Sequence, residues 1–275
     1  MKIIANIGYN WWTRGDKGAR AAQLVVAAKE AGAHGVCMPH FEAAKVHRVE
    51  SVLKNFAKFD TPDGLILDIK SMADDFGLEF YVAPSHADAV PYLCSIGVDK
   101  FHVENGNTLY LPLLDALVNQ QKVLLSTGFA TFPEIDEAIN ALGDHEKIIL
   151  LHSTGALPTP AKEAQLTRIL DLQQEFFPVY VGLESFLNDR LLDFVSMAFR
   201  PEIIMRRIDL ADKQGIETGY SLQPQELSTL VHIAEAMDEV NEPDFFYEEF
   251  VEGDWEARMN KMRCEETGYM LPPER

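Results

Sequence analysis

His102 and Glu104 lie two positions apart at the end of a short apolar run, Lys100–Val103, so in a strand they project to the same side. An imidazole and a carboxylate on one side can ligate zinc, manganese or iron, or work as general acid and base. Two further apolar runs, residues 123–125 and 148–151, stop at Ser126-Thr127-Gly128 and His152-Ser153-Thr154. Hydroxyls ahead of a helix N-terminus suit an anion, although the same residues also serve as ordinary caps. The adjacent arginines Arg206 and Arg207 add cations that pair with phosphate or carboxylate.

Positioning these groups requires parallel strands with their carboxyl ends together. Eight runs read as strands: residues 2–7, 35–41, 79–83, 100–103, 123–125, 148–151, 179–182 and 202–208. Helical patterns follow over 19–31, 65–76, 87–96, 111–119, 132–142, 161–176, 187–197 and 224–240, with a long insertion over 42–62. Continuous apolar strands alternating with amphipathic helices predict an α/β protein, a single-domain (β/α)8 TIM barrel over residues 1–240. Polar groups at the strand ends then meet at the barrel mouth. Residues 241–275 form an acidic, aromatic extension expected to pack on the barrel, with a homodimer contact as the other reading.

At 275 residues and a formal net charge of -19, the chain is not built for nucleic acid or an anionic membrane surface; a small anionic ligand in a locally positive pocket remains open. Three cysteines without CxxC spacing fit a reducing compartment, and no apolar run is long enough to span a bilayer. The expectation is a soluble, cytoplasmic protein.

The motifs Leu125-Ser126-Thr127-Gly128-Phe129-Ala130-Thr131 and Leu151-His152-Ser153-Thr154, the latter followed by Pro158-Thr159-Pro160, resemble those of the sialic acid synthase family. These enzymes are phosphoenolpyruvate-condensing transferases that make N-acetylneuraminate and related nonulosonic acids. The resemblance runs from Ile4-Ala5-Asn6-Ile7-Gly8 to Ser221-Leu222-Gln223-Pro224, without the family's carboxy-terminal antifreeze-like domain. It implies a divalent metal, a phosphate clamp close to Ser126–Gly128, and acidic groups at the strand ends. At those positions the chain departs. Asn6 stands for an acid, Cys37 and His102 for lysines, Asn105 and Asn107 for serine and glutamate, and Phe186 and Arg207 for the two histidines that hold the metal. Phenylalanine cannot ligate a metal and arginine keeps its proton.

On the family's inward positions, His86, His152 and Glu184 join His102 and Glu104 at the mouth, Arg207 faces it, and Arg206 faces the helix layer toward surface carboxylates. His40 falls on the opposite parity. His102, Glu104, His152 and Glu184 are therefore the candidate catalytic groups. Ser126, Thr127, Gly128, Arg207, Asn6, Asn105 and Asn107 are candidate ligand contacts, and His86, His102, Glu104 and His152 a candidate divalent-metal set. A metal site, metal-free acid–base chemistry and plain structural hydrogen bonding stay open for this cluster. Trp11-Trp12 either stacks on a sugar as a lid or packs in the core, and Glu217 falls near a family aspartate. The expected activity is carbon–carbon bond formation or cleavage on a small sugar or anionic ligand in carbohydrate biosynthesis, without authentic N-acetylneuraminate synthase turnover. A barrel that only binds or scaffolds, and a lyase or isomerase of unrelated chemistry, are the alternatives.

Overall fold

The computed structural model describes residues 1–240 except residue 14, and the expected extension over 241–275 lies outside the described residues. Residues 1–235 form one compact unit; a second, 236–275, is almost wholly outside them. Eight parallel strands close into a barrel in chain order: β1 (Lys2–Asn6), β2 (Gly35–His40), β3 (Glu79–Pro84), β4 (Lys100–Val103), β5 (Lys122–Ser126), β6 (Ile148–His152), β7 (Tyr180–Ser185) and β8 (Ile203–Arg207). Closure is made by β1 on β8, with Asn6 opposite Arg207. The strands are buried on both faces, which explains why their sequences are continuously apolar instead of alternating.

Among the described residues the helices are α1 (Lys17–Glu30), α2 (Ala43–Val46), α3 (Glu50–Phe56), α4 (Asp63–Phe76), α5 (Ala89–Ser95), α6 (Leu111–Ala116), α7 (Phe132–Leu142), α8 (Arg168–Glu175), α9 (Leu191–Met197) and α10 (Pro224–Val240). The insertion over 42–62 is thus not a bare loop but α2, α3 and a short 3-10 turn. The single helix expected over 161–176 is broken. A 3-10 turn at Ala161–Glu163 is separated from α8 by Gln165, whose φ is 42°. No helix among the described residues is long and apolar enough to cross a membrane.

Strand parity sorts side chains into two layers. Ile4, Cys37, Tyr81, Leu124, Ile149, Leu151, Ile203 and Met205 pack as one buried cluster that plugs the barrel. Positions two further on, at the carboxyl end of each strand, therefore also point inward: Asn6, Ser126 and Arg207 among them. Arg206, one residue off, points to the helices, but not to surface acids as expected. It is fully buried, with Nε 3.3 Å from buried Asp193 of α9 and Nη1 donating to Ser185. Burial raises the Asp193 carboxyl and lowers the Arg206 guanidinium in pKa, so desolvation outweighs their mutual attraction.

Trp11 is completely buried, which decides for core packing and against a sugar lid. Trp12 packs edge-on against Phe59.

Asp193→Ala leaves the Arg206 guanidinium buried without its counter-charge. The expected loss is about 3–5 kcal/mol in denaturant unfolding; a loss under about 1 kcal/mol would show that Ser185 and the Leu187 carbonyl suffice.

Candidate functional site

At the carboxyl end of the barrel, β4, β5 and β7 each contribute one inward polar side chain, and the three are in line. His102 Nε2 lies 2.9 Å from Ser126 Oγ, and Ser126 donates to Glu184 Oε2 at 2.7 Å. On its other side, His102 Nδ1 is 3.7 Å from Cys37 Sγ. All three residues of the line are buried, the imidazole completely. Burial alone would hold His102 neutral; the Glu184 carboxylate and the bond to Cys37 outweigh it and push its pKa up to about 10. Burial would likewise raise Glu184, but His102 and Arg207 hold it below the usual carboxylate range. The line is an imidazolium and a carboxylate joined by one hydroxyl.

Arg207 lies beside it on β8. Its Nη2 is 3.4 Å from Glu104 Oε1 and its Nε 3.4 Å from Glu217 Oε1, and its guanidinium sits 5.4 Å above the Phe186 ring. Burial opposes the charge of Arg207, but Glu217, Glu104 and Glu184 together raise its pKa, so the cation is permanent. Its Nε and Nη1 are buried without a hydrogen-bond partner. Unsatisfied donors on a buried cation are rare and call for an explanation.

Glu217 is fixed from several directions. Tyr9 N–H donates to Oε2 at 2.6 Å, Tyr220 O–H to Oε1 at 2.9 Å, and its own N–H donates to Asn10 Oδ1 at 2.8 Å. Arg20 Nε donates to the Asn10 carbonyl and Nη2 to Asp209, locking the loop after β8 to α1. Gly8 allows this approach: its φ is +49°, and a Cβ there would stand 2.0 Å from Glu217 Oε2.

Of the expected catalytic groups, the structure joins His102 and Glu184 through Ser126 and sets Glu104 on Arg207. His152 is not with them. Ile149 and Leu151 face the barrel interior, so His152 faces the helices, where its Nε2 lies 2.9 Å from the Ala164 carbonyl and burial lowers its pKa. The expected metal set of His86, His102, Glu104 and His152 is likewise scattered, since His86 pairs with Glu42. Among the described residues the group of acids and imidazoles close enough to share an ion is His40, Glu42 and His86. The two positions where the resemblance places metal ligands hold an arginine that carries only donors and an aromatic ring stacked beneath it. These residues do not fit a metal.

The expected ligand contacts divide. Thr127 and Gly128 line a cavity of about 300 Å³ with His152, Ser153, Thr154 and Arg168, whereas Ser126 points into the barrel. Asn105 Oδ1 accepts from Gly128 N–H at 3.1 Å and from Ser153 Oγ at 2.5 Å; a Cβ on residue 128 would stand 2.3 Å from Asn105 Cγ, so only glycine fits. Asn6 Oδ1 accepts from Gly8 N–H, and Asn107 Nδ2 donates to the Pro84 carbonyl. These amides tie loops together.

Sequence reasoning left Tyr9, Cys37, Phe186, Tyr220 and, in large part, Glu217 without a role. The signal for Glu217 was its place between Gly215 and Gly219 in the loop after the last strand.

The profile of the NeuB family matches residues 23–242. An N,N'-diacetyllegionaminic acid synthase of Campylobacter jejuni is 28% identical over 83% of this chain and 73% of its own length. An uncharacterized protein of Methanocaldococcus jannaschii is 26% identical over 76% of this chain. The chain spans 64% of the length of that archaeal relative. Among solved structures, the N-acetylneuraminic acid synthetase of Leptospira borgpetersenii in complex with citrate superposes with a TM-score of 0.83 at 22% identity, covering 93% of this chain and 90% of that one, a likeness of fold.

The raised pKa of His102 makes a stabilising contribution that is complete below its unfolded value of 6.5 and is lost as pH rises through about 10. Wild type is therefore expected to lose more melting temperature between pH 7 and 10 than Glu184→Gln, in which burial returns the imidazole to its neutral form. Imidazole ¹⁵N shifts of His102 should move with the melting data; identical alkaline profiles for the two proteins would show that Glu184 does not hold the charge.

Proposed function

The chain belongs to the NeuB family, and from that premise we propose that it is an enzyme of sugar-acid biosynthesis that forms or breaks a carbon–carbon bond in a small anionic substrate. The observation that carries this reading is the buried Arg207, whose Nη1 and Nε have no hydrogen-bond partner within the protein although Nε is ion-paired with Glu217, set next to the His102–Ser126–Glu184 line. A carboxylate or phosphate on the substrate satisfies those donors with charge-assisted bonds. When negative charge develops beside Glu184, one proton can pass from Nε2 of His102 to Ser126 while the Ser126 proton passes to Glu184, and the transfer reverses when that charge is dispersed. The relatives' printed activities support the substrate class: a legionaminic acid synthase by sequence and a sialic acid synthetase by fold.

The chemistry need not be the family's own condensation. A fixed guanidinium stands where the resemblance puts a metal, and no cation replaces the two missing lysines at Cys37 and His102 except the imidazolium itself. One observation favours a second reading, a barrel that binds without turnover. The space bounded by Glu184, Phe186, Ser153 and Thr154 amounts to about 10 Å³, room for one water at most.

Phosphoenolpyruvate with N-acetylmannosamine and Mn²⁺ should release no phosphate above background; robust release would overturn the departure from the family reaction. In a thermal-shift screen of sugar phosphates and sugar acids, ligands that stabilise wild type should bind Arg207→Met at least about tenfold more weakly, and Arg207→Lys should recover part of the difference. Equal binding by all three proteins would remove Arg207 from the site.

A further inference from the structure

A second set of ligating groups lies at the barrel rim, on the helix side of β2 and β3. His40 ends β2, Glu42 follows it by two residues, and His86 follows β3. One donor atom from each lies within 4.8 Å of the other two. His86 Nε2 is 2.9 Å from Glu42 Oε1, and the two imidazole rings are 6.1 Å apart between centroids. The strand ends that carry them are joined by Glu42 N–H donating to Ser85 Oγ, and the carboxyl end of β2 is held to the insertion by Thr61 Oγ donating to the Pro39 carbonyl. His40 lies one residue off the inward parity of Cys37, and its ring packs 6.2 Å from Tyr92 of α5. The group therefore sits apart from the His102–Ser126–Glu184 line.

Burial is graded across the three. His40 and His86 are 1% and 5% exposed, whereas the Glu42 side chain is 42% exposed. Nδ1 of His86 is buried and has no hydrogen-bond partner. A surface ion pair contributes little and would not need two buried imidazoles beside one carboxylate. Two imidazoles and a carboxylate converging on one point, closed on the protein side and open on the carboxylate side, are the donors of a three-ligand transition-metal site that leaves a position for water.

We propose that His40, Glu42 and His86 bind one divalent transition metal of the zinc class. Donors around such an ion stand roughly 3.3 Å apart, so closing from 4.8 Å takes small side-chain rotations on a backbone already held by Ser85 and Thr61. The ion replaces the His86–Glu42 hydrogen bond as the link between the ends of β2 and β3. This site is independent of the activity proposed above and would stand if that activity failed.

The test uses tag-free protein stripped with chelator, titrated with Co²⁺ and Zn²⁺, and passed through a desalting column before elemental analysis. Wild type should retain about one equivalent and show the visible absorption of Co²⁺ in a low-symmetry, four- or five-coordinate site. Glu42→Gln, at a half-exposed position where folding is not at stake, and His86→Ala should each bind at least about tenfold more weakly. His102→Ala should bind like wild type. No retained metal in wild type, or wild-type stoichiometry in both rim variants, overturns the proposal. Loss of metal in His102→Ala with retention in the rim variants would also overturn it, by moving the ion into the barrel.

Discussion

A permanently charged guanidinium buried at the mouth of the barrel is the constraint from which the rest of this structure follows. A lone buried cation costs several kcal/mol or more to desolvate, so the fold must bring opposite charge to it. It does so from three directions: Glu104 from the end of β4, Glu184 from β7, and Glu217 from the loop after β8. Those carboxylates exceed the one charge they neutralise by two, and His102, which is held as an imidazolium by Glu184, meets one of these. The protonation state of the histidine is thus a consequence of the arginine's surroundings.

Much of the backbone near the mouth exists to deliver these groups. Glu217 sits in a loop, where a side chain would ordinarily be mobile. Asn10, Arg20 and Asp209 form a buried polar network beneath it, and Gly8 leaves the space its carboxylate occupies. On the opposite side of the mouth, Asn105 bridges Gly128 and Ser153, fixing the ends of β5 and β6 relative to each other. Polar side chains that read as ligand contacts in a sequence are here the fasteners of strand ends. The same hydrogen-bonding capacity serves either purpose, and only the location of the acceptor tells which.

The barrel was legible because eight apolar runs with intervening helical patterns admit few other folds; period-2 parity put His102 and Glu104 on one side, whereas Glu184 was placed at the mouth by the family frame. The same rule, applied with the neighbours in view, places His152 outside: Leu151 fills the interior, so the next residue cannot. Its borrowed inward orientation came from the family frame, not from its own strand. His40 was correctly placed on the outer parity, yet its partners Glu42 and His86 could not be read from spacing, because they meet only when the ends of two adjacent strands are set in register. Arg206 was expected in the helix layer, paired with surface carboxylates, but α9 presents a buried aspartate to it. Glu217, Tyr9 and Tyr220 come from loops, where no periodicity announces direction.

Exchange of a metal for a guanidinium alters what a barrel mouth can do. A metal ion accepts lone pairs from neutral carbonyls and polarises them as a Lewis acid. A guanidinium offers only N–H donors in a plane, and so selects ligands that already carry negative charge and can accept two bonds side by side. Phe186 adds a cation–π contact to Arg207, with the guanidinium carbon 5.4 Å from the ring centroid. On the function proposed here, such a site recognises an anion and does not activate an aldehyde as a metal does. In the reaction we propose, the substrate's own carboxylate or phosphate anchors it on Arg207 while the His102–Ser126–Glu184 line handles the proton.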